Sequence, residues 1–361
     1  MFGGDNMTDI NKNIFLEILS KAKMLKASDI HILSGEVPVF RVNGKLIKIG
    51  EYSNFTEEDI KNLSSSILKD EQKKILEEER ELDFSFREEN INCRINIFYE
   101  KGNIGISIRI INETPFTLKE LNINNKIYDL LEKRNGLLIV AGKSGSGKSS
   151  TLAGIIEEFN QKETLNILTI EDPIEYIFTG KKSIIRQREV GRDTKSFLDG
   201  LKSALRQDLD IIMVGELRDL ESLEMALVGA ETGHLVLATL HTNGAVDTID
   251  RIISAFPDNK RNLIQRQLAS NLIGVIYQEL TEGIADNGNS RVPLCEMLHV
   301  NKGIENLIKN GKINQIQSFI DISGRDGMLN KEECLKDLLK NNKISQIQYD
   351  TVLRKIRYSK L

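Results

Sequence analysis

Residues 142–150, GKSGSGKSS, complete the pattern G-x-x-x-x-G-K-[ST] with Gly142, Gly147, Lys148 and Ser149. Glycines at these places let backbone N–H groups wrap phosphate oxygens, the lysine neutralises β/γ charge, and the hydroxyl ligates Mg²⁺. An apolar run, GLLIVA, precedes the loop and a helical stretch follows it, which is the context the chemistry needs. Gly142, Ser144, Gly145, Ser146, Gly147, Lys148, Ser149 and Ser150 are therefore the candidate nucleotide-binding residues, with ATP and Mg²⁺ as ligands.

Two acidic clusters follow, each at the C-terminal end of an apolar run expected to be a strand. That is the edge where ligands sit in parallel α/β sheets. TIEDPIEY contributes Glu171, Asp172 and Glu175, and DIIMVGELRD ends its strand at Gly215-Glu216. Triphosphate hydrolysis needs one carboxylate to hold Mg²⁺, usually through water, and another to orient or deprotonate the attacking water. Asp210 lies at the start of its strand, the wrong end, so Glu216 is the metal candidate beside Ser149. Pro173 fixes a turn that throws Glu175 back towards the site.

Two of the four histidines bracket a six-residue apolar run in ETGHLVLATLHTN. Along a strand, His234 and His241 lie roughly 20 Å or more apart and on opposite faces, too far for one metal. His241 falls on the phosphate side. An imidazole there can donate a hydrogen bond to a γ-phosphate and lose it after hydrolysis. His234, at the strand's entry, reads either as structural or as part of a subunit contact.

The elements that must position these residues fall into two patterns. Before residue 111 the chain reads as a helix at 9–25 with Ile14, Phe15, Ile18 and Leu19 on its buried face. A hairpin follows at VPVFRVNGKLIKI around Asn43-Gly44, then two helices and three strands. This makes a small α+β domain. From 136 onward, GLLIVAG, LNILTIE, DIIMVGE and HLVLATL alternate with helices, as parallel strands buried on both faces do. The last seventy residues are polar and helix-patterned. The expected division is 1–111, a linker at 112–118 around Pro115, a motor domain at 119–290 and a helical subdomain at 291–361. A chain of 361 residues, 40% apolar and 28% charged, fits this organisation.

A net charge of −4 gives no reason to expect nucleic-acid binding. Cys93, Cys295 and Cys334 are far apart in sequence, so reduced thiols in a cytoplasmic protein are expected. No run approaches the roughly 18–20 apolar residues of a membrane span, and no secretory signal is visible. Membrane association is expected to be peripheral only.

ASDIHI (27–32), the phosphate loop, TIEDPIEY, DIIMVGELRD and ETGHLVLATLHT occur in the order found in the secretion ATPase superfamily of type II secretion and type IV pili. The stretch QREVGRDT…SFLDGLKSALRQDLDIIMVGELRDLE most resembles the PilT-type retraction, or twitching-motility, ATPases. The resemblance implies an α/β fold: a PAS-like α+β N-terminal domain, a RecA-like P-loop NTPase domain and a C-terminal helical extension, assembled as a homo-hexamer. It implies Glu175 as the water-activating base, Glu216 as the Walker B acid, and a His box of His234 and His241. It also implies arginines of the N-terminal domain acting on the triphosphate, at the positions of Arg94 and Arg109. The expected partners are the type IV pilus machinery and its inner-membrane platform protein.

Two departures stand out. The family's AIRNLI motif reads GIENLI at 303–308, with Glu305 in place of arginine. The four-cysteine zinc site of extension ATPases has no counterpart, which favours retraction. The expected function is thus a hexameric, ATP-hydrolysing motor of pilus retraction. A pilus-assembly or type II secretion ATPase, a RecA-like nucleic-acid translocase and a nucleotide-gated ring remain as alternatives.

Overall fold

A computed structural model of the chain describes residues 4–42, 44–88, 91–111, 114–284, 290–322 and 327–358. Asn43 of the expected hairpin turn and residues 112 and 113 of the expected linker lie outside them. The chain divides into two units, Met1–Glu113 and Thr114–Leu361.

The first unit packs three helices on one antiparallel sheet. Helix α1 (Gly4–Met24) forms because Phe15, Ile18, Leu19 and Ala22 recur at helical spacing and are fully buried. Helix α2 (Glu57–Ile67) starts at a capping box: the Thr56 hydroxyl accepts from Asp59 N–H, and the Asp59 carboxylate accepts from Thr56 N–H. Helix α3 (Asp70–Glu79) ends at Arg80, whose left-handed φ of 63° stops propagation.

The strands are β1 (Ala27–Ile32), β2 (Val39–Val42), β3 (Lys45–Lys48), β4 (Glu81–Glu88), β5 (Ile91–Glu100) and β6 (Asn103–Ile110). They pair in the order β3-β2-β1-β6-β5-β4, antiparallel throughout. The hairpin expected around 37–49 is β2–β3, with Val42 opposite Lys45. Strand β1, the ASDIHI stretch, was not foreseen as an element; its alternation is short, with Ile30 and Ile32 buried between half-exposed Asp29 and His31. Alternation puts Ile30, Ile95, Ile97, Ile106 and Ile108 into the core. Asp29, Arg109 and Arg94 are in register on the other face, with Arg41 alongside.

The second unit is built on a seven-stranded sheet. Its strands are β7 (Gly136–Ala141), β8 (Asn166–Glu171), β9 (Ile184–Glu189), β10 (Ile211–Val214), β11 (Leu235–Leu240), β12 (Leu272–Glu282) and β13 (Arg291–His299), in the order β13-β12-β7-β11-β10-β8-β9. All neighbours are parallel except β12 and β13. Every residue of β7, β10 and β11 is buried, as expected of central parallel strands. Between β7 and β11 the chain forms α5 (Lys148–Lys162), α6 (Phe197–Ala204) and α7 (Leu220–Glu231), after a short α4 (Ile127–Leu131). Helices α8 (Ala245–Ala255) and α9 (Asp258–Asn271) lead into β12.

The helical subdomain expected from 291 begins later. Residues 291–299 are instead β13, antiparallel to β12 over nine paired positions. Pro293 and the weak alternation of RVPLCEMLH hid this strand. Proline is tolerated because β13 is the edge strand of the sheet, and the bridge on its far side, Met297 to Leu329, lies four residues beyond Pro293. Helices α10 (Lys302–Lys309), α11 (Ile316–Ile322), α12 (Lys331–Lys340) and α13 (Gln346–Tyr358) follow. Helix α10 carries the GIENLI segment: Asn301 caps it, Ile304 and Ile308 are buried, and Glu305 pairs with Lys302 at 2.8 Å. Among the described residues no helix is long and apolar enough to cross a membrane. The three cysteines are free and buried.

Candidate active site

The phosphate loop joins β7 to α5. Gly147 takes φ 87° as the N-cap of α5, a left-handed angle suited to glycine, so Lys148 opens the helix. The Lys148 ammonium is buried and donates to the carbonyls of Gly142 and Lys143, both at 2.9 Å. Burial pulls its pKa below the usual lysine value, against the opposing pull of Glu216 and Glu175. The cation therefore sits in the field of both carboxylates proposed for the chemistry. The Ser146 hydroxyl is buried without a hydrogen-bond partner among the described residues. Glycines at positive φ at 142, 145 and 147, leading into the N-terminus of α5, form a loop that suits phosphate oxygens.

The acids come from the ends of two strands, as their positions in sequence suggest. Glu175 lies beyond β8, and its Oε1 accepts from the Ser149 hydroxyl at 3.2 Å. Beneath it, Glu171 ends β8 and is 6% exposed. It accepts from Thr169 Oγ1 at 2.6 Å and Gln187 Nε2 at 3.2 Å. Burial outweighs these hydrogen bonds and raises its pKa to about 7. Glu216 follows β10; it accepts from Arg218 Nε at 2.8 Å, and His241 Nε2 is 3.4 Å from its other oxygen. Arg218 also reaches Asp172 at 3.8 Å. Asp210 is at the opposite edge, accepting from Asn166 N–H at the entry to β8.

The donor set fits Mg²⁺ brought in by nucleotide. Among the described residues no group of three or more His, Cys, Asp or Glu could hold a metal by itself. One hydroxyl, Ser149, and one carboxylate, Glu216, are hard oxygen donors of the kind Mg²⁺ takes, and would leave its other positions to phosphates and water.

The second unit thus gathers the loop, Glu175, Glu216 and His241. It does not gather His234. That ring lies before β11, at the sheet edge opposite the loop, with Nδ1 3.1 Å from Gly229 O and 3.3 Å from Thr232 Oγ1. It closes the turn after α7 and is not part of this chain's phosphate site. Arg94 and Arg109 belong to the first unit, where they face each other across β5 and β6. Arg94 pairs with Asp83 at 3.3 Å and Arg109 with Asp29 at 3.0 Å.

Three residues escaped the sequence reading. Arg218 bridges the two acidic clusters. Tyr176 holds Ser150 at 2.7 Å. Gln278, on β12, bonds both Ser146 O and Thr151 Oγ1. Arg218 and Tyr176 lie inside the motifs already singled out, so the signal was available; nothing near Gln278 in sequence marks it.

A family model described as "Type II/IV secretion system protein" matches residues 5–347. The chain belongs to that family. Its α/β architecture with a helical C-terminal part is the secretion ATPase fold. The twitching motility protein of Neisseria gonorrhoeae is 39% identical over 319 residues, 86% of this chain and 84% of the relative. The type IV pilus retraction ATPase PilT of Pseudomonas aeruginosa is 39% identical over 320 residues, 88% of this chain and 92% of the relative. The crystal structure of the pilus retraction motor PilT with bound ADP superposes with a TM-score of 0.84 at 40% identity, covering 92% of this chain and 95% of that one.

Proposed function

We infer that this chain is an ATPase that powers type IV pilus retraction. The observation that carries the reading is the burial of Lys148 within the field of Glu175 and Glu216, with Glu175 on the Ser149 hydroxyl. The names of its relatives, twitching motility protein and pilus retraction ATPase, favour retraction.

In this reading the loop amides and Lys148 hold the β- and γ-phosphates. Ser149 and Glu216 would hold Mg²⁺, which supplies neutralisation of phosphate charge when bound. Glu175 orients a water against the γ-phosphorus and accepts its proton as the anhydride bond to ADP breaks. His241, tied to Glu216, reports the presence of the γ-phosphate. Arg94 and Arg109 act as charge clamps that link nucleotide state to movement of the N-terminal unit. The working form is a homo-hexamer of chains divided near residue 113, with β13 completing the sheet of the motor unit and helices following it. It sits peripherally at the cytoplasmic face of the membrane, turning the platform protein of the pilus machinery and binding no nucleic acid.

Phosphate release from ATP by the purified protein tests the enzymology, and loss of the gene tests the biology. Hyperpiliated, non-retracting cells are expected; bald cells would assign the chain to assembly. Stimulation of turnover by DNA, with a steep salt dependence, would replace both readings with a translocase.

A further inference from the structure

We propose that Gln278 is a positioning residue for phosphate capture, whose carboxamide turns the Ser146–Gly147 peptide so that the Gly147 N–H faces the bound nucleotide. The proposal rests on the reading of residues 142–150 as the ATP site.

Strand β12 runs parallel to β7, with Tyr277 opposite Ala141, so the next residue arrives beside the start of the loop. Gln278 is 2% exposed. Its Nε2 donates to Ser146 O at 2.7 Å, and its Oε1 accepts from Thr151 Oγ1 at 2.7 Å. Only one orientation of the amide satisfies both partners. A backbone carbonyl can only accept, so the NH₂ must face Ser146, and the oxygen then takes the hydroxyl proton of Thr151.

The consequence is geometric. In a trans peptide the C=O and the following N–H point in opposite directions. Holding Ser146 O against β12 therefore turns the Gly147 N–H away from β12, toward the open side of the loop. Lys148 secures the first half of the loop through Gly142 O and Lys143 O; Gln278 secures the second half.

The approach is close enough to constrain the glycines. A Cβ on Gly142, at φ 151°, would lie 2.3 Å from Gln278 O, and one on Gly147, at φ 87°, 2.8 Å from Gln278 Nε2. Two glycines of the motif thus serve contact with β12 as well as approach of phosphate. Without the amide, the Ser146 carbonyl and Thr151 hydroxyl lose their buried partner, and the peptide is free to turn its N–H out of the site.

The test compares Gln278→Met, which keeps volume and removes both polar ends, with Thr151→Val, which removes only the group that orients the amide. Affinity for a fluorescent ATP analogue, kcat and KM for ATP, and melting temperature are measured on the full chain. Gln278→Met is expected to weaken nucleotide binding about tenfold or more and to raise KM by a similar factor, with kcat at saturation changed less. Thr151→Val should show the same split with a smaller loss. A fall in melting temperature with unchanged affinity and KM in the folded fraction would overturn the proposal. So would wild-type affinity in both variants. If Gln278→Met does not fold, Thr151→Val decides the matter by the same split. Lys148→Ala separates the two levels: if it binds ATP like the wild type, the ATP-site reading fails. If it loses binding while the other variants keep theirs, only the role of Gln278 fails.

Discussion

Arg94 and Arg109 lie on the exposed face of an antiparallel sheet, whereas Lys148 is buried at the C-terminal edge of a parallel one. Each arginine meets a carboxylate across neighbouring strands, Asp83 or Asp29, with Arg109 still 73% exposed. Burial pushes Asp29 up, but hydrogen bonds from Ser28 and Arg109 and the nearby guanidinium charges outweigh it and hold it low. Lys148 is held by two carbonyls of its own loop and lies in the field of Glu216 and Glu175. The difference is one of mobility. Exposed pairs are worth about 0–1 kcal/mol, so either arginine can leave its carboxylate at little cost. A buried cation with fixed acceptors cannot be moved so cheaply. The arginines of the first unit sit in weak, exposed pairs, whereas the lysine of the second is fixed in place.

Four substitutions break or sharpen that contrast, and the largest effect belongs to the fixed site. Glu175→Gln should lower turnover by about 10²–10⁴-fold while ATP still binds, measured by phosphate release and equilibrium binding. Unchanged turnover would pass the role of base to Glu216. On the mobile side, Arg109→Ala should cut kcat by about 10²-fold and shift stability by less than about 1 kcal/mol. A lower melting temperature with normal kcat would make the arginine row structural.

Glu171 tests the fixed side through pH. The folded protein keeps its proton up to about pH 7, whereas an unperturbed glutamate releases it near 4.5. Its contribution to stability is therefore full below pH 4.5 and lost as pH rises to about 7, by at most about 3 kcal/mol. In urea unfolding, wild type minus Glu171→Gln should show that decline; a difference flat from pH 4.5 to 8 would place an ionised carboxylate in the core. The smallest effect is expected at Glu305→Arg. It loses the Lys302 pair and a favourable charge in the first turn of α10, together about 0.5–1 kcal/mol, with ATP turnover unaffected. Altered turnover would connect α10 to the chemistry.

The legible parts of the molecule were those written in consecutive residues. Strand–loop–helix order around 136–162 followed from an apolar run, glycines and a helical pattern, and the structure has β7, the loop and α5 there. Both acidic clusters lie at strand ends because a strand's direction in a parallel sheet fixes which end meets the ligand edge. Strand β13 was missed because its burial comes from β12 and the α12 helix packing around it, not from its own alternation.

Sequence alone therefore determined the nucleotide loop, its acids and the parallel strands that carry them, since each depends on spacing along one short segment. Tertiary structure decided which distant groups meet. Gln278 reaches Ser146 across 132 positions, Arg218 ties Asp172 to Glu216, and His234 turns to its own helix end. Local periodicity sets which face a side chain occupies; only strand order and register set what stands opposite it.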